Sequence, residues 1–155
     1  MGADYVIDYK KESVKDRLRD LFKNGVDVYL DNVGGEMLDD VLMNIKDESR
    51  IVLCGAISNY NNLGADHKQE GYRLKNYPRL IIKRATMKGY VFVDYIKEFP
   101  KGYQELFALI GQGKLKVKID MSNGIDECPA ALIKLLTGKN TGKVIVKVSQ
   151  PQPKL

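Results

Sequence analysis

The segment from Val26 to Tyr60, VDVYLDNVGGEMLDDVLMNIKDESRIVLCGAISNY, limits the possible folds more than any other stretch. Val26, Val28 and Leu30, with Tyr29 among them, form a short apolar run that stops at Asp31-Asn32-Val33-Gly34-Gly35. Such a run predicts a parallel strand buried on both faces, because helices on either side leave no wet face to alternate with. Met37, Leu38, Val41, Leu42 and Ile45 then recur at helical spacing, with Asp39, Asp40, Asn44 and Lys46 between them. One face of that helix is therefore apolar and the other wet. Asp47, Glu48 and Ser49 are expected to end it, and Ile51-Val52-Leu53-Cys54 reads as the second buried strand. Strand, helix and strand in this order make a βαβ unit.

Both strands finish in small and polar residues. In an open α/β sheet, ligands bind outside the carboxyl ends of the strands, so Asn32, Gly34, Gly35, Gly55, Ser58 and Tyr60 are the first site candidates. The glycines have a second reading, as tight turns alone.

The flanking chain extends the same pattern. Tyr5 to Tyr9 predicts a short strand, and Lys10 to Lys23 an amphipathic helix with Ser13 as N-cap and Asn24-Gly25 as its stop. Asn59 to Asn76 is a polar loop longer than ordinary connections, a length typical of binding loops and lids. A short helix from Tyr77 to Arg84 starts at Pro78, a strand follows from Ala85 to Val93, and a long helix from Ile96 to Gln112 carries Pro100 in its first turn. Leu115–Ile119 and Val144–Val148 alternate apolar and charged residues and are expected as half-exposed antiparallel strands around a helix over Asp126–Thr137. Gln150 to Pro153 reads as a frayed tail.

Composition narrows the function classes. The net charge of +5 spreads 25 basic residues among 20 acidic ones, a solvated surface rather than a nucleic-acid stripe. No apolar run approaches the ~20 residues of a membrane-spanning helix. The two cysteines, Cys54 in a buried strand and Cys128 at a helix start, have no metal-ligand spacing and fit a reducing, cytoplasmic compartment. His67, the single histidine, lies in the polar loop as a surface residue, and no metal site is expected.

VDVYLDNVGGE, RIVLCGAISNYN, MKGYVFVDY, GKLK and LLTGKNTGKVIVKV, in that order, resemble successive signature stretches of one family. It is the prostaglandin, alkenal and curcumin reductase branch of the zinc-independent medium-chain dehydrogenase/reductases, and the match runs from Gly2 to Val148. The resemblance implies an α/β fold: a partial Rossmann-type parallel sheet with helices, plus C-terminal strands that return to a catalytic barrel-like domain. Residues 1–113 would be the C-terminal part of the cofactor domain, 114–149 the returning segment and 150–155 a tail. It also implies NADP(H) as cofactor and reduction of the C=C bond of an α,β-unsaturated carbonyl. By the same resemblance Tyr9 approaches the adenosine 2′-phosphate, and Asn32 lies beside the cofactor. Cys54, Gly55, Ala56, Ile57, Ser58 and Tyr60 run along the nicotinamide ribose and pyrophosphate, Tyr90, Val91 and Phe92 flank the nicotinamide amide, and Asn140 reaches the cofactor from the last turn. Tyr60 is the candidate catalytic residue, tuning the ribose or holding the carbonyl oxygen.

The family's glycine-rich phosphate turn has no counterpart before Val26, and Gly34-Gly35 follows a later strand. The expectation is thus the C-terminal half of a reductase, weak or inactive alone. The alternative is a non-catalytic module that pairs through an open sheet edge. A homodimer through the strand at Met87–Val93 and a small unsaturated carbonyl are the expected partners, with neither nucleic acid nor membrane among them.

Overall fold

The computed structural model describes residues 2–62 and 71–149. His67, most of the expected long loop and the tail from Gln150 lie outside the described residues. The chain divides into two compact units, Gly2–Ile96 and the residues from Lys97 on.

In the first unit Ser13 caps helix α1 (Val14–Leu21), its hydroxyl accepting from the Asp16 amide at 3.3 Å. The expected helix from Lys10 is shorter because Asp8 accepts from the amides of Lys11 and Glu12 in a turn that precedes it. Gly25, at φ +83°, then reverses the chain where an added Cβ would lie 2.8 Å from the Lys46 amide nitrogen. Strand β1 (Val26–Asp31), helix α2 (Gly35–Met43) and strand β2 (Ile45–Leu53) form the expected βαβ unit, and a 3-10 turn covers Ile57–Asn62. Helix α3 (Pro78–Ile82) begins at Pro78, and strand β3 (Thr86–Gly89) completes a parallel sheet in the order β1-β2-β3.

Helices α1 and α2 cover one face of this sheet. Leu18, Leu38, Val41, Leu42, Ile45 and Ile51 are the buried core, with Tyr29, Leu53 and Met87 packed against it. Removing these side chains from water is the main stabilising term of the unit.

Four expectations here need correction. Among the described residues Tyr5–Tyr9 pairs with no strand, and Tyr5 and Val6 are exposed. β1 is not covered on both faces: Val28 is 53% exposed and Leu30 58%. Asp47-Glu48-Ser49 does not end a helix, because Ile45 already pairs with Val26 in the sheet and the next pair is Val28 with Arg50. The intervening residues bulge from β2, with Glu48 at φ 60°, its amide bonded to the Lys83 carbonyl, and Asp47 paired with Lys83 and Arg84. The bulge is thus docked on the end of α3. Finally, β3 stops at Gly89, and Phe92–Glu98 forms a 3-10 turn instead of continuing the strand.

The second unit holds helix α4 (Phe99–Gly111), strand β4 (Ile119–Asn123), a 3-10 turn at Ile125–Glu127, helix α5 (Cys128–Leu136) and strand β5 (Lys143–Lys147). β4 and β5 pair in parallel, Ile119 with Lys143 through Asn123 with Lys147, which corrects the antiparallel expectation and moves the first strand four residues on from Leu115. Alternating polarity reports a strand with one wet face; a strand that returns through a helix runs parallel. Asp120 locks the crossover, accepting from Lys134 Nζ at 2.6 Å and from the Thr141 amide at 2.9 Å. The Lys134 ammonium first, and the Thr141 amide second, hold the Asp120 carboxyl below its ordinary range. Among the described residues no helix is long and apolar enough to cross a membrane.

Candidate functional site

The carboxyl ends of the three parallel strands are laced together by backbone hydrogen bonds. Cys54 and Gly55 donate to the Asp31 carbonyl at 2.8 and 3.1 Å, Ile57 to Asn32 at 3.3 Å, Ser58 to Val33 at 3.1 Å and Tyr90 to Leu53 at 2.8 Å. The Ser58 hydroxyl adds a 2.6 Å bond to the Val33 carbonyl. The loops after β1 and β2 are therefore tied to each other.

Asp31, fully buried, organises the turn after β1. Its carboxylate accepts from the amides of Val33 and Gly34, each at 3.0 Å, and from the Tyr29 hydroxyl at 3.0 Å. Burial first, and the Asp31 carboxylate second, push the Tyr29 hydroxyl far above its ordinary pKa, so it remains a donor. Gly34 sits at φ 69° and ψ −157°, a region essentially closed to side chains, and Gly35 at φ 60°. A Cβ on Gly35 would lie 2.7 Å from the Ser58 hydroxyl, and one on Gly55 3.1 Å from both the Asn32 carbonyl and the Tyr60 hydroxyl. The turn after β1 thus needs glycine for backbone angle and, at Gly35, for space, whereas at Gly55 the constraint is one of space alone.

A cleft of about 400 Å³ opens between these turns, lined by Gly34, Gly35, Cys54, Gly55, Ala56, Asn59 and Tyr60, with Asp31, Leu38 and Leu53 beneath and Tyr72 and Leu74 on the far side. Cys54 is exposed, not buried as expected, because β2 ends at Leu53 and the thiol lies in the loop beyond it. Tyr60, 56% exposed, accepts from the Ala56 amide at 3.3 Å, which leaves its own proton to be donated. Asn32 lies against Gly55, and Ile57 and Ser58 are exposed on the same loop.

The other expected residues are placed differently. Tyr90 follows β3, half-buried, with its ring stacked on Tyr95 at 5.1 Å, and Val91 and Phe92 are exposed beyond it. Tyr9 lines a separate cleft of about 290 Å³ with Glu12, Glu36 and Asp40, an acidic setting for a residue expected beside a phosphate. Burial, then the Glu36 charge, raises the Asp40 carboxyl above its ordinary value there. Asn140 belongs to the second unit, where its amide donates to the Gly142 carbonyl at 2.9 Å.

Sequence reasoning missed Asp31, Asp39, Asn59 and Tyr72. Asp39 was assigned to the wet face of its helix but is 3% exposed. Its partners come from residues 72–76, more than thirty positions on, so no local pattern marks it. Asp31 had a faint signal, a carboxylate closing an apolar run before Asn-Val-Gly-Gly.

A family profile described as zinc-binding dehydrogenase matches residues 1–146. The chain belongs to that family. It is 41% identical to a zinc-type alcohol dehydrogenase-like protein of Schizosaccharomyces pombe, over 96% of this chain and 41% of that protein. It is 39% identical to an NADP(+)-dependent 2-alkenal reductase of Nicotiana tabacum, over 96% of this chain and 42% of that one. Among solved structures it superposes with a TM-score of 0.82 and 35% identity on CurA of Vibrio vulnificus in complex with NADPH, covering 97% of this chain and 44% of that one. The chain thus spans less than half the length of these relatives, and the α/β fold with its parallel sheet is that of the reductases it matches.

The family description raises the question of zinc. Cys54 and Cys128 belong to different units, and among the described residues no group of three or more His, Cys, Asp or Glu side chains is gathered to hold a metal ion. This donor set does not fit zinc. A dinucleotide fits better, because a cleft lined by glycines opens at the carboxyl ends of the parallel strands.

Proposed function

We propose that this chain forms the cofactor side of an NADPH-dependent reductase that reduces the C=C bond of an α,β-unsaturated carbonyl. The observation that carries the reading is the glycine-lined cleft at the carboxyl ends of β1 and β2. The NADP(+)-dependent 2-alkenal reductase and the NADPH-bound CurA among the relatives support it.

Asn32, the Cys54–Ser58 loop, Tyr60 and the Tyr90–Phe92 stretch would hold the nicotinamide end, with Tyr9 on the adenosine side. NADPH, when bound, supplies the hydride. The chain's own groups must orient the two reactants and stabilise the oxygen on which negative charge develops. Tyr60 is suited to that stabilising role. Its hydroxyl accepts from Ala56, which polarises its O–H toward donation to a ribose hydroxyl or carbonyl oxygen. Cys54, Gly55 and Ala56 fasten the loop through their bonds to Asp31 and Tyr60.

The test is titration of the 155-residue chain with NADPH, followed by nicotinamide fluorescence, with NADH as the control. Preference for NADPH is expected, with slow or no turnover of a simple enone by this chain alone. Equal affinity for the two nucleotides, or none for either, would overturn the reading.

A second reading has one observation in its favour. Val28 and Leu30 leave the uncovered face of the sheet apolar, as a docking module would. Sedimentation of the chain as a monomer at all concentrations would count against it.

A further inference from the structure

One wall of the cleft is held by a residue that does not line it. Asp39 lies in the middle of α2 and is 3% exposed, and both of its carboxylate oxygens are used by a segment far along the chain. Oδ2 accepts from the Tyr72 hydroxyl at 3.0 Å, and Oδ1 from the amides of Lys75 at 2.9 Å and Asn76 at 2.8 Å. The Asn76 side chain returns a bond to the Asp39 carbonyl at 3.3 Å. On its other side the same segment is tied to the loop after β2, the Tyr72 amide donating to Asn59 Oδ1 at 3.3 Å. Tyr72 and Leu74, which form the far wall of the cleft, therefore hang between a helix carboxylate and the glycine loop that the proposed cofactor site uses.

Electrostatics makes this latch directional. The buried carboxylate has two amide donors and a hydroxyl donor while the segment is docked, and undocking would give up all three protein bonds at once. Tyr72 brings its aromatic ring and Leu74 its alkyl side chain to the cleft, so their position sets its width.

We propose that Asp39 is a positioning residue for the cleft, fixing the segment of residues 71–76 as a wall so that ligand affinity depends on a carboxylate that no ligand touches. This rests on the reading of the cleft as the cofactor and substrate site. The experiment combines hydrogen–deuterium exchange with NADPH titration on the 155-residue chain and three variants, Asp39→Ala, Asp39→Asn and Tyr72→Phe.

In Asp39→Ala the amides of Lys75 and Asn76 should exchange at least ~10-fold faster while those of Tyr29 and Ile51 in the strands keep their rates, since only the local opening changes. NADPH affinity should fall on the order of tenfold, because a displaced wall misplaces what it holds. Asp39→Asn, which keeps the shape and one acceptor oxygen, and Tyr72→Phe, which removes a single bond, should each give a smaller change in the same direction. If Asp39→Ala does not fold, these two variants decide.

Exchange that rises equally in the strands, or does not rise in the segment, overturns the proposal. So does local loosening with unchanged NADPH affinity. If the unaltered chain binds no NADPH, the reading of the cleft falls, and the exchange rates alone decide whether Asp39 positions the wall.

Discussion

At Gly34 the backbone itself is a requirement of the site. Its φ of 69° with ψ of −157° is available to glycine and scarcely to any other residue, and its amide feeds both oxygens of buried Asp31. Gly34→Ala should therefore destabilise the first unit by about 1–3 kcal/mol, the usual cost of forcing a side chain into such a region. Urea unfolding followed by far-ultraviolet circular dichroism would measure it, and an unchanged midpoint would refute the assignment. Tyr29→Phe removes one donor from Asp31 and should cost about 1 kcal/mol in the same assay, as a lost buried hydrogen bond does. The glycines were legible in the sequence as a turn or a ligand cradle; the structure shows the backbone angle and close packing that the turn requires. The carboxylate that folds the turn was not legible, since its importance lies in being buried.

Helix α2 shows where periodicity succeeds and where it stops. Leu38, Val41 and Leu42 were placed on the apolar face by spacing, and all three are buried. Leu42 has no exposed surface, so Leu42→Ala should cost about 2–5 kcal/mol through lost burial and the cavity left behind. A shift in unfolding midpoint well below that range would mean the core is looser than its packing indicates. Ile45 has the same spacing but belongs to β2. The reason is tertiary: Asn44 accepts from the Val26 amide at 2.8 Å, which draws the chain out of the helix and into the sheet. In the second unit, alternation along β4 and β5 revealed half-exposure but not direction. Direction follows from the intervening α5, which carries the chain back to the same end.

For the whole chain, pH should act from two sides with opposite chemistry. Asp120, Asp47 and Asp8 are held below the ordinary 3.8, by Lys134, Lys83 and Lys11 respectively as the largest cause. Their stabilising contribution is full above that value and is lost as pH falls below it through the folded values. Tyr29 and Tyr72 are raised above the ordinary 10.0 by burial first, then by Asp31 and Asp39 hydrogen bonding. Their contribution is full below 10.0 and declines as pH rises beyond it, when the unfolded tyrosines ionise and the folded ones do not. Thermal melts across pH should thus show a fall at each end, the acid one softened by Asp40, whose raised carboxyl contributes in the opposite sense. The variant Tyr29→Phe should soften the alkaline fall; an alkaline limb identical to that of the unaltered chain would remove Tyr29 as its cause.

The sequence alone determined the order of elements, the βαβ unit at its centre, the glycine turns at the strand ends and the family to which the motifs point. Those are local or short-range properties, set by apolar spacing and by residues with unusual backbone freedom. Only the tertiary structure decided that Asp31 and Asp39 are buried, that β2 bulges over Asp47 to Ser49, that β4 and β5 run parallel and that Tyr72 faces the cleft. Each of these depends on partners that folding brings together from distant parts of the chain. A carboxylate reads as a surface residue until its hydrogen-bond donors, here up to 37 positions away, are in place around it.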